Sequence, residues 1–241
     1  SSVKTIEKNA FQGIRAITIN GDIEQIPDQS FRNCESLTTF IINTTSLTSI
    51  GSSAFEGCSS LTEIIIPSSI QKIGKNSFLG VTSLTIDGDI QHILNESFKN
   101  CVSLKKLVIK SNSLISIKSS AFEGCSSLSE ITVPESLQTI ENDAFKGVKD
   151  LVINGDIQCI PNDSFKNCTS LTKITLNTKK LTIIGESSFE GCSSLNEITI
   201  PSSVHSVKNN AFQGIVSLTI NSDIQHIPNE TFKNCSSLNQ V

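Results

Sequence analysis

Cysteine occurs in one phrase almost throughout the chain. Seven of the eight Cys (Cys34, Cys58, Cys101, Cys125, Cys168, Cys192 and Cys235) open the motif Cys-x-Ser-Leu, with spacings that alternate 24 and 43. The longer gap hides a further unit in which Val81, Val148 or Ile215 replaces Cys, as Ile14 does near the start. Phenylalanine repeats the message. Eleven of the 12 Phe, all but Phe40, fall in Ala/Ser/Thr-Phe phrases whose gaps run 20, 24, 23 and then recur. The chain is therefore a three-coil super-repeat of 67 residues, present about three and a half times. A period in this range means a solenoid or another stacked array.

One unit runs from Cys58 to Gly80. Leu61, Ile64 and Ile66 set a strand-like alternation. Pro67, Pro134 and Pro201 follow the strand and end its ladder. Short units replace that turn by Asn20-Gly21-Asp22, Asp87-Gly88-Asp89 or Asn154-Gly155-Asp156, all strong turn chemistry. No unit can bury its Leu, Ile and Phe alone, but stacked units bury them as columns. At about 4.8 Å per parallel strand, ten to eleven coils of 20, 24 and 23 residues make one rod roughly 50 Å long. The expectation is a single solenoid domain over residues 1–241, cut from a longer array.

The phrase L-x-x-I-x-I-P-x-x-I-x-x-I-G-x-x-A/S-F-x-G-C-x-S resembles the treponemal type of leucine-rich repeat found in BspA-like surface proteins. The resemblance covers essentially the whole chain. It implies a right-handed β-rich coil with one parallel sheet and short turns or 3-10 segments on the opposite face. It also implies a role in cell-surface adhesion or protein binding, and it transfers no catalytic motif. The short units depart from the pattern by lacking three residues around the strand and the Cys.

A residue that recurs at one unit position is structural, so chemistry should appear as a departure from the period. The recurring Cys read as buried, reduced, small hydrophobes. Stacking would hold their Cβ atoms near 4.8 Å, whereas a disulfide wants about 3.8 Å. Cys159 is the exception, at a half-buried or surface position. His92 and His226 are equivalent and lie about 29 Å apart by strand spacing, so they cannot share a metal; His205 is the third His. A triad would need a nucleophile and an acid beside one of them, and no nucleophile-elbow, P-loop or zincin motif occurs. The Asp-Gly-Asp turns are chosen for their backbone, because equivalent turns lie roughly 14 Å apart and Ca–O bonds are about 2.4 Å. The reading calls for no cofactor, no metal and no enzymatic activity. Sequons stand at Asn43, Asn95, Asn162, Asn167, Asn229 and Asn234; periodicity alone explains four of them.

Composition closes other classes. The chain carries 19 basic and 23 acidic residues, for a formal charge of −4, and Arg only at Arg15 and Arg32. A nucleic-acid binder needs a basic stripe. No apolar run approaches the roughly 20 residues of a membrane helix, so this segment does not insert in a membrane.

What remains is a surface. The outward strand residue, coil by coil, reads Thr18, Ile41, Ile65, Thr85, Val108, Thr132, Val152, Thr175, Thr199 and Thr219, a β-branched column. Two residues earlier the column reads Ala16, Thr39, Glu63, Ser83, Lys106, Glu130, Asp150, Lys173, Glu197 and Ser217. These columns read either as β-propensity with an exposed charge ladder or as a flat mixed face for a protein partner or surface glycan. Patches without Trp and Tyr lack the usual hot-spot residues, so affinity per site should be low and avidity should compensate. The expected function is a non-enzymatic interaction or adhesion scaffold at a cell surface. The alternative is an intracellular, cytoplasmic spacer, which free thiols fit. Without polar caps, the array is expected to self-associate end to end.

Overall fold

A computed structural model describes residues 11, 13–61, 64–86, 89–155, 157–221, 224 and 226–235. Ten lateral strands stack in chain order as a parallel sheet: Ala16–Ile19, Thr39–Ile42, Ile65–Ile66, Ser83–Ile86, Lys106–Ile109, Glu130–Thr132, Asp150–Asn154, Lys173–Asn177, Glu197–Ile200 and Thr219–Ile220. Among the described residues, the first two rungs join the rest through one bridge, Phe40 to Ile64. The expected β-rich solenoid with one parallel sheet is what the chain forms. Turns, with no α- or 3-10 helix among the described residues, occupy the remaining sides.

A second ladder was not foreseen. Two-residue strands repeat once per coil at Gln25–Ile26, Ser49–Ile50, Lys72–Ile73, His92–Ile93, Ser116–Ile117, Thr139–Ile140, Cys159–Ile160, Ile183–Ile184 and Ser206–Val207. They pair in parallel, but only in threes. Each coil thus has two outward-facing rows, one per ladder.

The core is a stack of rings. Eleven Phe from Phe11 to Phe232 lie face to face, with centroids from 5.0 to 5.9 Å apart. Phe40, outside the column, meets Phe31 and Phe55 edge-on at 5.0 and 4.7 Å, the T-shaped geometry that ring quadrupoles favour. Left-handed backbone bends the chain around each ring. The residue two before the Phe takes positive φ (Ser53, Glu96, Asp163), and so does the Asn or Gly two after it (Asn33, Gly57, Asn100, Gly124). Asn and Gly tolerate this region best.

Cysteine also has a polar role. The Cys58, Cys125 and Cys192 thiols donate to the carbonyls of Phe31, Phe98 and Phe165, one coil earlier, at 3.1, 2.9 and 3.0 Å. Val81, Val148 and Ile215 supply the bulk at their positions without that donor.

Two of the 20-residue coils, Phe78–Phe98 and Phe145–Phe165, interrupt two of the three hydrogen-bonded tracks, whereas at Phe212–Phe232 the Phe amide still reaches Thr231 at 3.1 Å. In longer coils the Phe amide donates to the next coil, as in Phe55 to Ser77 and Phe122 to Ala144, both 2.8 Å. Among the described residues no such bond leaves Phe78 or Phe145. The second ladder breaks at the same places, between Ile73 and His92 and between Ile140 and Cys159. The lateral sheet and the ring stack stay continuous, so the missing residues are felt on the other sides. The ring pairs that span these seams are the most tilted, at 15° for Phe78–Phe98 and 24° for Phe145–Phe165.

One register differs from the period. Ile65 pairs with Thr85 and Thr199 with Thr219, each 20 residues on. The equivalent pairing would set Thr132 beside Val152. Instead Glu130 faces Val152 and Thr132 faces Asn154. A two-residue slip keeps every side chain on its face: Ile131 and Ile153, now opposite, are both buried. Gly155 makes room for it, since a Cβ there would lie 2.0 Å from the Val133 carbonyl oxygen.

Candidate functional site

The two outward columns of the lateral sheet are at least partly exposed wherever they are described: Thr39, Ile41, Thr85, Lys106, Val108, Glu130, Thr132, Asp150, Val152, Lys173, Thr175, Glu197 and Thr199. Glu63 lies outside the described residues; Ile65 is placed by its pairing with Thr85. Among the described side chains of the columns, Ile41 is the most exposed large apolar one, at 44%. Buried neighbours such as Leu84, Leu107 and Ile131 alternate with the columns and anchor them on the core.

The charge ladder runs in two blocks. Lys106 and Glu130 are paired in register, with Nζ to Oε1 at 3.1 Å. Asp150, Lys173 and Glu197 follow one another in register; Lys173 is ion-paired to Glu197, and Asp150 accepts from the Thr172 hydroxyl. The slip at Glu130 corrects the single column read from the period: Asp150 is not its neighbour. Asn154 donates to Glu130 at 3.3 Å, and Asn177 to Asn154 at 2.9 Å. Exposed pairs of this kind contribute only tenths of a kcal/mol up to about 1 kcal/mol each, so they leave the face adaptable.

Other candidates resolve differently. All eight Cys are free. Cys235 is half-buried, as is Cys159, while the other six are buried. Burial pushes the Cys58 and Cys168 thiols up to about 12, which keeps them protonated and unreactive. His92 does have a hydroxyl beside it, with Nδ1 2.8 Å from Ser116 Oγ. Ser116 is only 2% exposed, so that oxygen is shielded from any substrate. Among the described residues no three His, Cys, Asp or Glu could hold a metal, and no helix is long and apolar enough to cross a membrane. The Ser97, Ser164 and Thr231 hydroxyls of three sequons are buried and donate to the carbonyls of Leu94, Pro161 and Pro228 at 2.9, 2.7 and 2.9 Å. Those sequons exist because the turn needs the hydroxyl.

Sequence reasoning missed a groove of about 580 Å³ beside the first seam of the second ladder. Lys72, Ile73 and Lys75 line one side, Leu94 and Asn95 the other, with Lys118 and Glu141 beyond. The signal was present in the sequence. Positions 67 apart show Gly51, Lys118, Gly185 and Pro27, Leu94, Pro161, so two of these residues break the period.

A family model described as BspA type leucine rich repeat region matches the chain in six copies, over residues 1–86, 91–218 and 158–241. No curated protein matches it in sequence. Among solved structures it is similar to a leucine-rich repeat protein from Bacteroides ovatus, with 22% identity over 98% of this chain and 81% of that one, TM-score 0.43. It is similar to a leucine rich cell surface protein from Faecalibacterium prausnitzii, with 20% identity over 94% and 78%, TM-score 0.35. A leucine-rich repeat protein of T. pallidum shares 20% identity over 75% of this chain and 78% of that one, TM-score 0.42.

Proposed function

The chain belongs to the BspA-type leucine-rich-repeat family, a repeat-scaffold type, and from that premise we propose that it is a non-enzymatic protein-interaction and adhesion scaffold that works at a cell surface. One observation carries the reading: the two outward columns of the lateral sheet are solvent-facing along its described rungs and backed by a buried aliphatic row. Ten rungs at about 4.8 Å make a face roughly 43 Å long. Such a face, with small β-branched residues and self-paired charges, suits weak contacts repeated many times. Glu130→Lys with Thr132→Arg, at the middle of the face, should weaken capture of surface-displayed partner protein without changing the far-UV CD spectrum. Unchanged capture, with loss instead on substitution of the turn side, would refute a lateral site.

The eight free thiols favour a second reading, an intracellular spacer, because oxidising compartments promote disulfides. Mass spectrometry of the protein from its own cells separates the two. Surface labelling of intact cells supports the scaffold; recovery only after lysis supports the spacer.

A further inference from the structure

Departures from the 67-residue period cluster at the first seam. Gly51 and Gly185 have no space for a Cβ, which would lie 2.5 Å from the Asp28 amide nitrogen and 2.6 Å from the Ile160 carbonyl oxygen. At the same position the middle super-repeat carries Lys118. Gly74, also closed to a Cβ at 2.6 Å from the Ser52 nitrogen, is matched by Glu141. Lys118 and Glu141 pair with each other at 2.8 Å.

The exchange changes which residue caps the turn. In the first and third copies the side chain one residue after the proline takes the next coil's amide: Asp28 accepts from Ser52 at 2.7 Å and Asn162 from Glu186 at 2.8 Å. In the middle copy the Ser119 amide goes instead to Glu141, at 3.1 Å, from the following coil. Asn95, the residue left over, is exposed and has no side-chain hydrogen-bond partner among the described residues. Leu94 adds a second free group. Pro27, Pro161 and Pro228 stand at its position, and at Pro161, as at Leu94, the second ladder is not paired to the preceding coil. Leu94 has an N–H, and it too has no partner among the described residues.

The groove therefore gathers unused donors. Leu94, Asn95 and Lys72 all line it, and Lys72 makes no ion pair among the described residues. Lys75 and Lys118 add charge at its rim, each held by one carboxylate, Glu96 at 2.7 Å and Glu141 at 2.8 Å. Ile73 is its apolar floor. Donors without acceptors, net positive charge in a chain of formal charge −4, and one aliphatic contact fit a carboxylate-bearing segment. A sugar would want an aromatic platform; the chain has no Trp or Tyr, and its ring column is enclosed in the core.

We propose that this groove, between Lys72 and Asn95 on the second ladder, binds an acidic peptide segment of a partner protein, with its carboxylates on Lys72, the Leu94 amide and Asn95. The site is separate from the lateral face and stands whether or not that face binds. The test titrates blocked hexaglutamate into the isotopically labelled chain and follows backbone amides, with a heparin hexasaccharide as the competing class. Hexaglutamate should shift the amides of residues 72–75, 94–95 and 118–119, with Leu94 moving downfield. The variant Leu94→Pro/Lys118→Gly/Glu141→Gly, which installs residues the sister coils use, should bind roughly tenfold more weakly at the same salt. Lys72→Thr, the residue of the sister coil at Thr139, should also weaken binding, and it serves alone if the triple variant fails to fold. Unchanged affinity in these variants, shifts spread over all surface lysines, or hexasaccharide binding without hexaglutamate binding would each overturn the proposal. Loss of partner capture in Glu130→Lys/Thr132→Arg with hexaglutamate binding intact would leave it standing.

Discussion

Removing one ring from the middle of the column is the most direct test of how this chain is held together. Phe122 is fully buried and stacks on Phe98 at 5.1 Å and on Phe145 at 5.2 Å, with tilts of 10° and 11°. Phe122→Ala removes the ring from both partners and leaves a cavity that the continuous lateral sheet prevents from closing. Transfer and cavity terms together give about 3–5 kcal/mol. Phe122→Leu refills most of the space and loses chiefly the two stacking contacts, worth roughly 0.5–1.5 kcal/mol each. The chain has no Trp or Tyr, so intrinsic fluorescence is of little use; urea unfolding followed by far-UV CD is the assay. Phe232 supplies the contrast. It is half-buried and has one described ring neighbour, Phe212, at 5.9 Å, so Phe232→Ala should cost clearly less. A loss below about 1 kcal/mol for Phe122→Ala, or equal losses at Phe122 and Phe232, would refute a ring column as the load path of the core.

Four further outcomes follow from the geometry. Gly155→Ala should lose about 2 kcal/mol or more, from φ +139° and the clash with Val133, whereas Gly21→Ala, with nothing within 4 Å, should change the melting temperature little. Ser188→Ala should gain about 1 kcal/mol in urea unfolding, because its buried hydroxyl has no partner and the sister positions are Ala54 and Ala121. Iodoacetamide at neutral pH should label Cys159 and Cys235 first in the folded protein and all eight thiols in denaturant, as peptide mass spectrometry would show. The carboxyls of Glu96, Glu141 and Glu190 lie below their usual range, through hydrogen bonds to Lys75, Lys118 and Ser187 respectively; their stabilisation is present above the unfolded value near 4.3 and fades as pH falls through the depressed folded values, so Glu141→Gln should flatten the acid limb of a stability–pH curve.

Phe and Cys spacing made the rungs, their order and the outward columns legible, and the Asp150–Lys173–Glu197 neighbours came out in register. The slip between Glu130 and Val152 was not legible, because its unit has the same 20-residue length as its sisters and an even shift leaves the inward–outward pattern unchanged. The second ladder was hidden for a different reason. Two residues are too few for alternation to show, and Ile70 with Ile73 reads equally well as a turn. Cys was read by volume alone, which explains Val81 and misses the thiol donated to a Phe carbonyl. Lys118 in place of Gly was visible in the sequence, but its effect on Asn95 passes through Glu141, one coil further on, and only coordinates show that exchange.

The seams give the rod a mechanical character. Within each group of three coils the hydrogen-bonded tracks resist flexing on every side. At Ile73/His92 and Ile140/Cys159 the second ladder and the Phe-amide track are both interrupted, and the crossing is left to the lateral sheet, a tilted ring pair and, at the first seam, the side-chain contacts Lys75–Glu96 and Ser97–Ile73. Bending strain concentrates there, and the solenoid flexes like a spine, in stiff vertebrae of three coils about 14 Å tall joined by compliant discs. The first disc is also the wall of the Lys72–Asn95 groove. A pull along the rod would change the groove's width, so load on the solenoid and grip on a carboxylate become one coupled quantity.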